Sequence, residues 1–382
     1  MHELCTLMER EPLEQCSGAN PKDREKQKPR QHLKVLMPTQ LFHCGDTVRA
    51  SESAKNAFEC VFEAVAGERV LIVCDDEKAK IGHTFAEGAL GLGLWTRLLT
   101  LKTSKTPRKE VPSYLSEIIT GKKPDIFVNL LRGFGGETPF RIKLISLETR
   151  DKRSRLGHCP GVSLRMLTEG ALSLTVEEHR QMQEDARSLL RALQQTHKVE
   201  VVAPSGTSLS FSTEGRRFYT DTMIDWREMK WMNLPTGEVL AAPVEDSLDG
   251  KLVCDLAIGG VGAMKKPIEL IVERGIVRKA ISEDKKALRQ VEDALTTDKW
   301  AKTVGEFAFG INPKAKSLEE FLETEKITET VHIAFGHNLD MPGGRNPSGN
   351  HMDFLIAKPT VTITSSKGET TTILKNGKLQ TK

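Results

Sequence analysis

The sequence has no CxxC pair, no apolar run of membrane-spanning length and almost no excess of charge of either sign. Its seven cysteines are scattered over 382 residues, which argues against a thiolate zinc finger or a secreted disulfide framework and favours a cytoplasmic protein with reduced thiols. The net charge of +3 gives no reason to expect a nucleic-acid or membrane-surface partner. The apolar runs fall short of the roughly 20 residues of a membrane helix, and the first residues lack the apolar segment of a signal peptide.

Aromatic residues are scarce as well, at 5% of the chain, and only two of them are tyrosines, Tyr114 and Tyr219. Any site that needs a phenol group therefore has few candidates. Apolar residues nevertheless make up 38% of the chain, and a chain of this length can bury a core without disulfides or a structural metal.

Composition along the chain predicts an extension and two domains. Residues 1–35 are expected to form a flexible N-terminal extension, because the stretch Pro21–Gln31 is polar, charged and flanked by proline. At roughly 150 residues per domain, the remaining length predicts an α/β domain over residues 36–198 and a β-rich, metal-binding catalytic domain over residues 199–382. The metal assignment of the second domain depends on the residues described below.

The first of these domains alternates helical and strand patterns. Apolar residues recur at helical spacing over Ser51–Ala66 and again over Val176–Gln195. Continuous apolar runs of strand length occupy Arg69–Asp76, Leu94–Leu101 and Pro124–Leu131. Strands that alternate with helices are typical of βαβ units, so we predict a parallel sheet.

The second domain has a different pattern, with short strands separated by turns that contain Gly or Asn-Gly. One helix is predicted among them, near residues 283–296. The fold class is therefore an N-terminal α/β domain with a parallel sheet, followed by a β-rich α+β domain. The predicted strands include Lys251–Ile258, Pro267–Ile281, Thr360–Thr364 and Thr370–Leu379.

Carboxylate and imidazole side chains concentrate beside apolar strands in the last quarter of the chain. Glu306 precedes one apolar run, and Glu325 and His332 precede another. His351 and Asp353 stand two residues apart, so in an extended segment both side chains face the same way. Such donors suit Zn²⁺, Co²⁺, Mn²⁺ or Fe²⁺, and two neighbouring ions would need about this many ligands with at least one bridging carboxylate.

Glu238 stands apart from this cluster in the sequence. It follows a Pro-Thr-Gly turn and enters a strand of small and apolar residues. An acidic side chain in such a strand is costly unless it is paired or binds a metal. On its own, Glu238 could equally be an edge residue that faces water.

A series of motifs resembles the metal-dependent leucyl aminopeptidases called aminopeptidase T, aminopeptidase S and PepS. The motifs occur in the family's order and span about residue 155 to the C-terminus, and the α/β first half fits the family's N-terminal domain. The motifs are RLGHCPGVSLRML (Arg155–Leu167), VVAPSGTSLSFS (Val201–Ser212), GRRFYTDT (Gly215–Thr222), NLPTGEVLAAPVEDS, VGEFAFGINPKA, ETEK with VHIAFGHN, and NHMDF.

Carried over position by position, this resemblance implies a dinuclear hydrolase. It implies that a water activated by two divalent ions, Zn²⁺, Co²⁺ or Mn²⁺, cleaves an amide bond at the N-terminus of short peptides. It also implies a homodimer with an enclosed site. Glu306 corresponds to the carboxylate that bridges both ions, and Glu306 and Glu238 are the expected catalytic residues. The implied metal ligands are Glu238, Glu306, Glu325, His332, His351 and Asp353.

One position departs from the family pattern. The family has a tyrosine near the metals seven residues after its first histidine ligand, and this chain has Leu339 there. Neither tyrosine of the chain lies in that motif region, so only the fold could supply a replacement.

Two alternatives stay open at this stage. The 2,5-dihydroxypyridine 5,6-dioxygenases look like members of the same superfamily, and they bind a single Fe²⁺. The loop before their HxD motif is similar to the loop with Gly343–Gly344 in this chain. At Glu238, Glu306 and His332, however, this chain keeps the hydrolase-type residue. The other alternative is a metal-binding relative without peptidase activity.

Overall fold

The structure, a computed structural model, describes residues 45–151 and 153–380, so the predicted extension of residues 1–35 lies outside the described residues. The helices are α1 (Gly45–Cys60), α2 (Ala79–Gly91), α3 (Ser113–Lys122), α4 (Thr138–Glu148), α5 (Leu164–Thr168), α6 (Val176–Leu193), α7 (Lys285–Leu295) and α8 (Phe321–Thr324). The strands are β1 (Arg69–Asp75), β2 (Trp95–Leu101), β3 (Ile126–Leu130), β4 (Arg155–His158), β5 (Thr196–Val202), β6 (Ser208–Ser212), β7 (Tyr219–Thr220), β8 (Trp231–Asn233), β9 (Glu238–Ala241), β10 (Asp249–Cys254), β11 (Ala257–Ile258), β12 (Gly262–Ala263), β13 (Ile268–Glu273), β14 (Ile276–Ser282), β15 (Val304–Gly310), β16 (Thr330–Gly336), β17 (His351–Ala357), β18 (Thr360–Ser365), β19 (Thr370–Lys375) and β20 (Lys378–Leu379).

The predicted parallel sheet is confirmed. Five strands lie in the order β2-β1-β3-β4-β8, and each pairing is parallel. Alternate residues of β1 pack on opposite faces: Ile72 joins the cluster that contains Phe58 and Phe85, and Leu71 joins the cluster that contains Leu115. Because helices cover both faces, β1 beyond Arg69 and all of β3 are buried and mostly apolar, as is typical of parallel strands.

The helix predicted over Ser51–Ala66 is shifted towards the N-terminus. It begins at Gly45 and ends at Cys60, and the prediction that it continues to Ala66 is wrong. Glu63 has a φ of 51°, and a residue in the left-handed region cannot continue a right-handed helix. The apolar spacing persists beyond this point, but Val65 is exposed.

The second half is β-rich and antiparallel, as predicted. One sheet has eight strands in the order β14-β13-β10-β6-β5-β18-β19-β20, and the other has seven in the order β12-β11-β17-β16-β15-β9-β7. The two sheets pack against each other through a shared apolar cluster. Phe211 of the eight-stranded sheet and Phe307 of the seven-stranded sheet meet there with ring centroids 5.0 Å apart.

The segment Lys251–Ile258 is not a single strand, and that prediction is wrong. It divides into β10, in the eight-stranded sheet, and β11, in the seven-stranded sheet. Asp255 and Leu256 lie at the division, where the Asp255 carboxylate accepts a hydrogen bond from the amide of Ala357 and the Leu256 carbonyl accepts one from Met264. The mostly apolar segment therefore crosses from one sheet to the other at Asp255 and Leu256.

Membrane-spanning segments were not expected from the sequence. Among the residues that the structure describes, no helix is both long and apolar enough to cross a membrane. The free cysteines in the described part include Cys74, Cys159 and Cys254, which are buried.

Candidate metal centre

The predicted ligands of the last quarter lie on one face of the seven-stranded sheet. Side chains alternate between the two faces of a strand, and Phe307, Ile333 and Phe354 fill the core between the sheets. Their neighbours Glu306 and His332 therefore project from the opposite face of β15 and β16. Asp353 does the same from β17, which pairs with β16.

Four of these side chains converge at short range. The His332 Nε2 atom lies 3.2 Å from Glu306 Oε1, and the His351 Nε2 atom lies 3.3 Å from Glu306 Oε2 and 3.2 Å from Asp353 Oδ1. Glu306, His332 and Asp353 each offer a ligand atom within 4.8 Å of the others, and all three are buried. We call Glu306, His332, His351 and Asp353 the histidine group.

The other two predicted ligands surround a buried lysine. The ammonium group of Lys326 contacts Glu238 Oε2 and lies 2.9 Å from Glu325 Oε1 and 3.6 Å from Asp221 Oδ2. The Lys326 side chain is only 2% exposed. We call Asp221, Glu238, Glu325 and Lys326 the lysine group.

Glu238 joins the two groups. While its Oε2 atom contacts Lys326, its Oε1 atom lies 3.6 Å from His332 Nε2. Glu238 occupies the first position of β9, immediately after Gly237, whose φ of 138° and close approach to Asn312 leave no room for a side chain. The turn identified in the sequence therefore fixes where the carboxylate enters the site.

The residues present fit divalent ions. Glu238 Oε1 is buried and has no hydrogen-bond partner, although buried polar atoms normally have one. The carboxylates of both groups outnumber the single ammonium of Lys326, and buried charges are costly unless they are paired or bind metal. A cation that binds here would relieve this imbalance.

The same negative charge raises the pKa values of the imidazoles. Burial lowers the pKa of His332, but the surrounding carboxylates, Glu306 first, outweigh it and raise that pKa to about 9. Burial raises the pKa of Glu306, but hydrogen bonds from His332 and His351 outweigh it and hold the pKa well below its usual range. Without a metal, protons on the imidazoles thus offset part of the negative charge of the carboxylates. Because metal ligands must be deprotonated, an ion would displace these protons.

Both groups open onto a cavity of about 420 Å³, lined by Glu238, Glu306, Glu325, His351 and Asp353 among others. A larger cavity of about 730 Å³ adjoins it. The residues that line both cavities are Tyr219, Met229, Trp231, Asp340 and Met341. A ligand bound at the carboxylates can therefore extend along a mostly apolar wall.

The fold places a tyrosine, Tyr219, at the site. Tyr219 lies on β7 beside β9 and lines the cavity with Glu306 and Asp353. Burial first, and then the Glu306 carboxylate, raise the pKa of Tyr219 well above its usual value, so its phenol is neutral. Leu339, at the family's tyrosine position, is 52% exposed. At this cavity a tyrosine is thus present on a strand, whereas the loop after His332 has Leu339 at the family's tyrosine position.

The sequence comparison decides the family. A model of the thermophilic metalloproteases (M29) matches residues 173–379, which is more than half of the chain and includes all the residues of both groups. The chain belongs to the M29 metalloprotease family. The predicted resemblance is thereby confirmed, and the family assignment supports a metallopeptidase that uses a divalent metal.

Solved structures of two proteins share this fold. Wild-type AmpT from Thermus thermophilus superimposes with a TM-score of 0.67 at 17% identity, over 88% of this chain and 100% of that one. The 2,5-dihydroxypyridine dioxygenase from Pseudomonas putida superimposes with a TM-score of 0.59 at 14% identity, over 87% of this chain and 97% of that one. No curated protein matches the sequence. At these identities the likeness shows the fold alone.

The structure brings the sequence-predicted site residues of this M29 metalloprotease together, and all of them except the buried His332 line one cavity. Their role as ligands stays a prediction. Sequence reasoning missed Lys326, Asp221 and the position of Tyr219. All three lie in motifs of the family resemblance, Lys326 in ETEK and Tyr219 and Asp221 in GRRFYTDT, but neither motif shows that these side chains reach the site.

Proposed function

We propose that this M29 metalloprotease is an aminopeptidase that hydrolyses the N-terminal amide bond of short peptides with two divalent ions, Zn²⁺, Co²⁺ or Mn²⁺. The observation that carries the proposal is the buried set of Glu306, His332 and Asp353, whose ligand atoms lie within 4.8 Å of one another beside a cavity. Carboxylate and imidazole donors suit these ions.

The proposed roles follow from the geometry of the two groups. Glu306, which contacts both imidazoles through different oxygens, would hold the ions together with His332 and His351. Bound ions supply a Lewis acid for the scissile carbonyl and lower the pKa of a water molecule. Glu238, whose Oε1 has no hydrogen-bond partner, is placed to take the proton from that water and deliver it to the leaving amine.

The charge of the cavity favours a free amino terminus. Six carboxylates line it, those of Asp221, Glu238, Glu306, Glu325, Asp340 and Asp353, together with the cationic Lys326. Bound ions would offset most of this negative charge, so a carboxylate outside the predicted ligand set, Asp340, is the group that would attract a cationic ligand. A peptide's terminal ammonium group would therefore be drawn in, while the adjoining cavity accommodates the following residues.

An arylamide panel tests this function. We expect the metal-free protein to release the arylamine from aminoacyl arylamides after addition of Co²⁺, Zn²⁺ or Mn²⁺, and to consume no oxygen with a dihydroxylated pyridine in the presence of Fe²⁺. Oxygen uptake without arylamide hydrolysis would instead support the single-iron dioxygenase chemistry that the fold also accommodates. Inactivity in both assays would support a metal-binding relative without peptidase activity.

We expect Tyr219→Phe to lower kcat by about 10²-fold and to leave the metal content unchanged. A hydrogen-bond donor that stabilises the developing oxyanion contributes about this much, and the Tyr219 phenol is neutral at the cavity wall. The matched control is Tyr114→Phe, because Tyr114 packs in the parallel-sheet region. Equal kcat values for the two variants would exclude this role for Tyr219.

Two further properties complete the proposal. A cytoplasmic location is supported by the cysteines, since those that the structure describes are free thiols. A homodimer is supported by the family resemblance. Short peptides are the proposed substrates, with no nucleic-acid or membrane partner, in keeping with the small net charge.

A further inference from the structure

Lys326 lies where the family resemblance expects part of a metal site. Its ammonium group contacts Glu238 Oε2 and lies 2.9 Å from Glu325 Oε1. Both carboxylates are among the predicted ligands, and both are buried. An ion that used these two oxygens would stand in the position of the ammonium, because a metal–oxygen bond to a carboxylate is about 2.0–2.2 Å long.

The lysine has an alternative partner close by. Asp221 Oδ2 lies 3.6 Å from the ammonium and is a buried atom without a hydrogen bond. The other oxygen of Asp221 is fixed, because it accepts hydrogen bonds from the amides of Gly237 and Glu238. A small movement of the Lys326 side chain would therefore exchange Glu238 and Glu325 for Asp221 without exposing the charge to water.

The histidine group has no such internal cation. Among the described residues, the ion pairs of Glu306 and Asp353 involve only the two histidines, and no lysine or arginine contacts them. An ammonium group therefore occupies the lysine group and is absent from the histidine group, so only the lysine group requires displacement of an ammonium before an ion can bind.

We propose that Lys326 competes with the second divalent ion, so that the histidine group binds an ion tightly and the lysine group binds one only when the ammonium moves to Asp221. The inference rests on the proposed two-ion function and assigns an order to its metal binding. Lys326 is a positioning residue in this account. Activity would then depend on the occupancy of the weaker position.

Equilibrium dialysis of the full chain against Co²⁺, with the bound metal counted by mass spectrometry, tests the inference. We expect the first and second ions to bind wild-type protein with dissociation constants at least about tenfold apart. In Lys326→Met the second ion should bind more tightly. Its dissociation constant should fall by about tenfold or more and approach that of the first ion. Lys314→Met is the matched control, because Lys314 pairs with Glu178 at 2.9 Å away from the ligands, and it should leave both constants unchanged.

Asp221→Asn gives an independent test if Lys326→Met fails to fold. Asparagine retains the oxygen that accepts the two amide hydrogen bonds but offers the ammonium no charge. We expect the second ion to bind at least about fivefold more weakly and the first ion to bind as in wild type. Equal affinities for two ions in wild type, or an unchanged second constant in both variants, would overturn the inference. The dialysis contains no substrate, so its result does not depend on peptidase activity. If the two ions bind unequally but the protein hydrolyses no arylamide, the proposed function is contradicted and this inference stands.

Discussion

Glu306→Gln is expected to reduce metal-dependent hydrolysis by about 10³-fold or more while the protein stays folded. The Glu306 carboxylate lies within 3.3 Å of both imidazoles, and glutamine removes its charge and replaces one acceptor with a donor. Ions held by Glu306 would contribute several kcal/mol of transition-state stabilisation, and each 1.36 kcal/mol is worth tenfold in rate. Steady-state rates with an aminoacyl arylamide, at saturating Co²⁺, measure the effect.

The control for this variant is Glu292→Gln, the same change on the exposed face of α7. Its rate should equal that of wild type. Circular dichroism of both variants should match wild type, because glutamine is nearly isosteric with glutamate. A Glu306→Gln rate within threefold of wild type would remove Glu306 from the mechanism.

The second large effect concerns stability. Adding Zn²⁺ at about 1,000 times its dissociation constant is expected to stabilise the metal-free protein by about 4 kcal/mol, since an ion that binds only the native state contributes RT ln(1 + [L]/Kd). In Asp353→Asn this gain should fall to about 1 kcal/mol or less. The charge of Asp353 is lost from a group in which its Oδ1 lies 3.2 Å from His351. Chemical denaturation with and without Zn²⁺ measures both values.

Asp185→Asn supplies the comparison for this experiment. Asp185 is exposed on α6 and accepts a hydrogen bond only from Gln181 among the contacts of the described residues. It should keep the full stabilisation by Zn²⁺. If Asp353→Asn gained as much from Zn²⁺ as Asp185→Asn does, the metal would bind elsewhere.

The sequence predicts much of the fold because its patterns are local. The apolar run at Arg69–Asp75 is long enough for a strand and too short for a helix, and the helix α6 begins at a capping box of Thr175 and Glu178. The predictions are wrong where contacts between residues far apart in the sequence determine the structure. The run Lys251–Ile258 is continuous in sequence, but its two ends pair with different sheets.

The same contrast between local patterns and distant contacts applies to the residues of the site. His351 and Asp353 could be predicted to share a face, because strand alternation is a local property. Tyr219 could not be placed at the cavity, because its strand is only two residues long and its position depends on pairing with β9. Lys326 was missed for another reason: a lysine next to glutamates is ordinarily exposed, and only the tertiary structure shows that this one is buried among carboxylates.

The central claim is metal-dependent cleavage next to a free amino terminus, and a matched pair of peptides tests it most directly. A short peptide and its N-acetylated form are incubated with chelator-treated protein, before and after addition of Co²⁺, and the products are identified by mass spectrometry. We expect release of the first residue from the free peptide only after Co²⁺ is added, with cleavage of the acetylated form at least about 100-fold slower. Equal cleavage of both peptides, or cleavage without metal, would contradict the account.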